Sequence, residues 1–320
     1  MISQNELSGF YKEKLEPQLD GLEKQRKVVR NLNTGKISFF IFTLLVHFAN
    51  SLELLALESV KYLEHIMYSI LILVNFSLFI INYIKKRDYR SEYKSKVVQS
   101  VVNLIDENWD YYPDDKISES QYKGSILFPA RTDSYNGDDL IKGRIGQTDF
   151  QCSELHTQYK KVSGSGKNRK TTWYTIFKGL FFHADFNKHF SGITFVRTRN
   201  LSRHHSQSFG PVDLEDPEFS KRFHVHSTDQ VEARYILTPK IMEAFITLYN
   251  YYSNPIDVSF VDSRVNCAVS FKEDLFEPPV YKTIFDLEAV QKVYALLYFN
   301  QVVIDELNLN VRIWTKGVNY

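Results

Sequence analysis

Two long apolar runs dominate the first ninety positions. The first, Ile37 to Leu57, is rich in Phe and Leu, with Glu53 as its one formal charge; the second, Ile66 to Ile84, has none. A bilayer core of about 30 Å needs about 20 helical residues, so each run is long enough to cross. A helix buried in a soluble protein would show polar residues every third or fourth position, and these runs do not. The pattern predicts a transmembrane hairpin, with spans at 37–57 and 66–84. Before it, residues 1–36 read as a helical segment with Phe10, Leu15, Leu19 and Leu22 among charges. Pro17 and Gly21 weaken it, and a break is expected at Asn31–Gly35. After it, Tyr93, Val97, Val101, Leu104 and Ile105 fall at helical spacing. They predict a juxtamembrane helix within 85–112 that runs to Asn108 and stops before Pro113.

From Asp138 the period shortens to that of strands. Asp138–Gly146, Phe150–Val162, Thr171–Phe182 and Gly192–Arg199 alternate β-branched and aromatic residues, and Ser163–Lys167 reads as a hairpin connection. That loop is Gly-rich but lacks phosphate-loop spacing. Asp216 with Pro217 opens a short helix through Phe223. His224–His226 is a brief strand, and Ser227–Gln230 spells a capping box. Thr238 and Pro239 start a helix with Ile241, Met242, Phe245 and Leu248 on its apolar face. Ile256–Val261 and Arg264–Phe271 predict a second hairpin, and Asp286 caps a long helix to about Leu307. The fold class is therefore α+β: a two-helix hairpin followed by a mixed domain with an antiparallel sheet, over 113–320.

Charge orients this arrangement. Lys24, Arg26, Lys27, Arg30 and Lys36 precede the first span, and Lys85, Lys86, Arg87, Arg90, Lys94 and Lys96 follow the second. The turn carries Glu58, Lys61 and Glu64, with His65 at its edge. Positive charge stays on the cytoplasmic side, so both termini and the whole α+β domain are expected inside. A cleavable signal peptide is not expected, because the first run starts late and no small-residue cleavage site follows it. The formal net charge is +1, which argues against nucleic acid as a partner. The flanking basic residues suit anionic lipid headgroups. Cys152 and Cys267 fit no CxxC spacing and read as reduced core residues.

Polar positions inside the spans need partners. Counted equally from the turn, His47 and Asn75 reach the same depth, with Asn50 one turn away. An interhelical hydrogen bond there would contribute roughly 0.6–2 kcal/mol. A proton relay through His47 and Glu53 is the competing use, and one histidine with one near-interface carboxylate makes a poor relay.

The run Ile176-Phe-Lys-Gly-Leu-Phe-Phe-His-Ala-Asp-Phe-Asn187 is followed by Asp216-Pro-Glu-Phe219, Phe223 and Ser227-Thr-Asp-Gln-Val-Glu-Ala-Arg-Tyr-Ile-Leu-Thr-Pro239. With the Phe10-Tyr11 helix and the early hairpin, these motifs resemble a family of uncharacterised bacterial membrane proteins, domain of unknown function 3137. The resemblance implies a bacterial inner-membrane protein with a cytoplasmic α+β domain. It implies no reaction, cofactor or active site.

Candidate chemistry is sparse. Asp229 and Arg234, with Lys178, are the candidate binding residues. Asp229 suits a helix N-terminus, and Arg234 is expected to pair with Asp229 or Glu218. His224 and His226 share a face if extended, as do His183 and Asp185, and the four could form a metal shell. His189, His204 and His205 read as surface or loop positions. No GxSxG elbow or Cys–His pattern occurs. The leading reading is a membrane-tethered interaction module without a cofactor. It would bind a protein partner or an anionic lipid surface, or self-associate through its hairpin. The alternative is a metal-dependent hydrolase, which requires His183, Asp185, His224 and His226 to converge within about 5 Å. A third reading is a proton-coupled channel of hairpin oligomers, which requires His47 to face an aqueous path.

Overall fold

The computed structural model describes residues 4–51, 61–165, 169–185, 190–199 and 209–314. Glu53, Glu58, Lys167, His189, His204 and His205 lie outside them. The chain divides into two compact units.

The helical unit comprises residues 2–100 and 277–288. It contains α1 (Gln4–Phe10), a π-helical turn (Tyr11–Leu15), α2 (Glu16–Ser51), α3 (Lys61–Tyr93) and a second π-helical turn (Lys94–Val98). Pro17 is tolerated because it lies in the first turn after the first π turn, as the second residue of α2. The wider turn carries the chain past the point where an α-helix would miss the proline N–H and meet its ring. The break expected at Asn31–Gly35 does not occur: α2 is helical throughout. Thr34 Oγ1 donates to the Arg30 carbonyl at 3.0 Å, and Asn82 Nδ2 donates to Asn33 Oδ1 at 2.9 Å. These contacts hold a stretch whose intrinsic propensity is poor. The juxtamembrane helix forms, continuous with the hairpin: α3 runs through the basic cluster to Tyr93, the second π turn follows, and α4 (Gln99–Ile105) ends three residues short of Asn108.

The sheet unit carries nine strands among the described residues, in the order β1-β2-β3-β4-β9-β8-β5-β7-β6, and every neighbouring pair is antiparallel. They are β1 (Asp110–Tyr112), β2 (Ser134–Ile145), β3 (Thr148–Ser163), β4 (Lys170–Asp185), β5 (Thr194–Thr198), β6 (Gly210–Pro211), β7 (Phe223–Ser227), β8 (Ile256–Val261) and β9 (Arg264–Ser270). The helices of this unit are α5 (Glu119–Gly124), α6 (Pro217–Arg222), α7 (Gln230–Ile236), α8 (Pro239–Tyr252) and α9 (Leu287–Trp314). All four strands expected between Asp138 and Arg199 form within a few residues of their predicted bounds.

Alternation along the strands gives the sheet two faces. One gathers Leu140, Leu155, Phe177, Phe181, Phe195 and Ala268 under Tyr122, Leu127 and Phe128. The other meets α6 and α8 through an aromatic cluster of Phe219, Phe223, Phe245 and Tyr249. Gly179 is required where β9 joins β4. Its φ is +150°, and a Cβ there would collide with the Val269 carbonyl.

Caps follow local chemistry. Asp216 accepts from the Glu218 and Phe219 amides, and Thr238 from Ile241. The capping box at Ser227 is a misreading, because Asp229 is the N-cap of α7 and accepts from Val231 and Glu232. Ser227 Oγ is instead drawn into the sheet, bonding Thr194 Oγ1 at 2.8 Å and the Asp229 carbonyl at 2.8 Å.

Candidate functional site

Along the apolar runs of α2 and α3, polar side chains meet between the helices while many apolar side chains lie outside. Asn75 Nδ2 donates to Thr43 Oγ1 at 2.9 Å. His47 packs edge-on against Tyr68, with ring centroids 5.6 Å apart. Lys36 Nζ lies 5.5 Å from the Phe79 ring centroid. Asn75 therefore meets Thr43, one turn from His47. Counting equally from the middle of the connection set the register wrong by about a turn, since side-chain packing decides it. Around these contacts Phe40, Leu44, Leu45, Phe48, Ile72, Leu73 and Phe76 are all more than half exposed. Both helices are long and apolar enough to cross a bilayer.

The charges at the foot of the hairpin behave in the opposite way. Arg26 is 4% exposed. It forms a two-pronged pair with Glu23, at 2.8 and 2.7 Å, and donates to the Val280 carbonyl at 2.7 Å. The Arg26 guanidinium on Glu23 holds that carboxyl below its ordinary range. Tyr89 donates to the Pro279 carbonyl at 2.8 Å, and burial pushes its phenol far up. Glu277 receives Arg90 Nε at 2.5 Å and Lys94 Nζ at 3.2 Å, with Lys94 only 2% exposed on its side chain. Residues 277–284 thus form a strap whose carbonyls and carboxylate are held by α2, α3 and the second π turn. Arg26, Arg90 and Lys94 are spent on this strap and are not available to lipid headgroups as the sequence suggested. Only Pro278 and Pro279, which remove N–H groups and leave carbonyls to be satisfied, hinted at it.

In the sheet unit, one cross-strand row runs His183, Asn266, Ser259, Phe195, His226. His183 Nδ1 meets Asn266 Oδ1 at 2.8 Å, Asn266 donates to Ser259 Oγ at 3.2 Å, and Ser259 donates to the Ser125 carbonyl at 2.7 Å. The next row pairs Asp257 with Arg197 at 2.6 Å, both buried. Arg197 also donates to the Leu127 carbonyl at 3.0 Å. These two rows fasten the segment after α5 over the sheet. His224 and His226 sit at the far end, their rings 6.4 Å apart, and burial lowers the pKa of both.

The four residues assigned to a metal shell are not brought together. His183 on β4 and His226 on β7 lie four strands apart, about 19 Å at ordinary strand spacing, and His183 is committed to Asn266. Asp185 ends β4. Strand periodicity placed the histidines on a common face correctly, but no local pattern reveals how many strands intervene.

The remaining candidates also separate. Arg234 pairs with neither Asp229 nor Glu218. It donates to the Gln230 and Asp213 carbonyls, and Glu218 is taken by Lys221 and Arg222. Asp229 is occupied as a cap. Lys178 bonds Asp274 at 2.9 Å and the Lys272 carbonyl at 3.1 Å. Cys152 and Cys267 are free and buried, and burial pushes both thiols well up, away from nucleophile range. Glu154 was not singled out. It is buried on β3 and accepts from the Leu275 amide at 2.6 Å. Burial, with the Asp139, Asp138 and Asp274 carboxylates nearby, raises its pKa to about 8.

A family model described as "Protein of unknown function (DUF3137)" matches residues 175–309, from within β4 to within α9. It is the family to which the sequence motifs pointed. No curated protein matches the chain. Among solved structures, the chain is similar to the mycobacterial trehalose monomycolate transport factor A, TtfA. That likeness has 9% identity, covers 64% of this chain and 92% of that one, and has a TM-score of 0.32.

Proposed function

We propose that this chain is an integral membrane protein whose hairpin crosses the bilayer twice, with both termini in the cytoplasm, and whose sheet unit acts by binding at the membrane. The observation that carries this reading is the exposed apolar belt on α2 and α3. A contiguous belt of this size is costly in water and matches a hydrocarbon core in length. Glu53 excepted, formal charges are confined to the two ends of the runs, and the basic excess lies at one end. Binding is favoured over hydrolysis because the histidines with ligand spacing are held strands apart. An inner membrane of a bacterial cell is the setting that the family resemblance suggests.

Single-cysteine labelling of the full chain tests this directly, since both native thiols are buried. Tyr62→Cys should react with an impermeant maleimide on intact cells, and Ser163→Cys only after lysis. Release of the full chain from membranes by alkaline carbonate, or labelling of position 163 from outside, would sink the proposal.

A further inference from the structure

The β3–β4 hairpin projects beyond the rest of the sheet. Pairing with β2 ends at Gln158 and pairing with β9 at Gly179. From Tyr159↔Tyr174 to Ser163↔Lys170 the two strands have only each other, a ribbon about 14 Å long before its tip. Between Gln158 and Thr175 the sequence holds Lys160, Lys161, Lys167, Arg169 and Lys170 and no acidic residue, in a chain of net charge +1. Among the described residues, no ion pair engages Lys160, Lys161, Arg169 or Lys170.

The same ribbon exposes rings and aliphatic surface. Tyr159 and Tyr174 stack on each other, centroids 5.2 Å apart, and Lys160 faces Trp173 across the ladder. Trp173 is 48% exposed, and Val162 and Tyr174 are also exposed. At the root lies an open cleft lined by Ala130, Arg131, Asp133, Tyr159, Lys160 and Val162. Its acid is already engaged, since Asp133 accepts the Lys160 amide and faces Arg131. Lysines alone would be explained as protection of an unpaired strand edge. Edge protection does not account for exposed Trp173 and Val162 on the same ribbon, and their pairing with cations suits an amphipathic surface.

We propose that the described ribbon, residues 159–165 and 169–174, docks onto an anionic lipid surface. Lys160, Lys161, Lys170 and Arg169 would meet phosphate headgroups, with Trp173, Tyr159, Tyr174 and Val162 in the interfacial layer. Trp and Tyr favour that layer because an apolar body and a polar edge are both satisfied there. Each cation near such a surface contributes about fivefold in partitioning. The inference rests on the membrane reading above in one respect: an anchored chain keeps a bilayer at high local concentration.

The test uses the full chain in nanodiscs, with an environment-sensitive fluorophore on Ser163→Cys. Discs containing phosphatidylglycerol should give a blue-shifted emission that lipid-borne quenchers reduce, and phosphatidylcholine discs should not. Lys160→Glu with Lys170→Glu should abolish the shift, and Trp173→Ala should weaken it at unchanged melting temperature. No shift in anionic discs, an equal shift in both lipids, or a shift produced only by added RNA or protein would overturn the proposal. Carbonate extraction of the same samples reports the anchor separately, so failure of docking is distinguishable from failure of membrane insertion.

Discussion

The two units invert each other. In the helical unit Phe76 is 64% exposed while Arg26 and Lys94 are buried at 4% and 2%; in the sheet unit Phe181 is fully buried and Lys160, Lys161 and Lys170 face outward. One residue type therefore has opposite fates in one chain. The difference is one of solvent. On the membrane reading proposed above, water drives Phe181 into a core, whereas a helix facing hydrocarbon keeps Phe76 on its surface and reserves its interior for polar contacts such as Asn75–Thr43. The charges follow the same logic. Buried Arg26 and Lys94 are tolerated because each has a carboxylate partner, and Arg26 a carbonyl besides.

The comparison breaks most sharply at its aromatic residues. Phe181→Ala should destabilise the sheet unit by about 3–5 kcal/mol, whereas Phe76→Ala should cost far less, since no packed cavity is left behind. Denaturant titration in detergent, following near-ultraviolet dichroism, measures both. Equal losses would erase the distinction between the units.

A smaller effect sharpens the sheet side. Glu154 has its folded pKa raised to about 8, so between the ordinary carboxylate pKa and about 8 the folded state holds a proton that the unfolded state has released. Its contribution to stability is therefore undiminished below the ordinary carboxylate pKa and falls as pH rises through that window. Glu154→Gln keeps an acceptor for the Leu275 amide and cannot ionise. It should be near neutral at pH 4 and stabilising at pH 8.5 by on the order of 1–3 kcal/mol. Melting temperatures across that range decide it, and parallel profiles for the two proteins would refute the assignment.

The smallest effect lies inside the hairpin. Asn75→Leu should cost about 0.6–1.7 kcal/mol, and Thr43→Val should add little once Asn75 is gone. His47→Leu should leave the Asn75 term intact. A double-mutant cycle on helix association in micelles reads this coupling, and additive losses at positions 43 and 75 would show the bond to be unimportant.

Much of this architecture is written locally. Alternation at Phe150–Val162 marks β3, Asp216-Pro217 marks the start of α6, and Thr238-Pro239 the start of α8, because the cap or period involves only neighbours. Ser227 misled because its hydroxyl had two competing partners, a helix amide and the sheet, and only packing chose. Asn31–Gly35 misled because a partner helix compensates for weak propensity. Of the candidate binding residues, Asp229 was correctly placed at a helix start, while the expected Arg234 ion pair required knowing where Glu218 points.

From the order of residues alone came the two apolar helices, their basic ends, the α+β class and most strand bounds, since run length, period and capping are short-range properties. Folding in three dimensions decided the rest. It set the helix register at Thr43–Asn75, drew residues 277–284 onto Arg26, Tyr89 and Lys94, and put three strands between His183 and His226. Each of these depends on which distant segments become neighbours, and that is settled by the packing of whole faces.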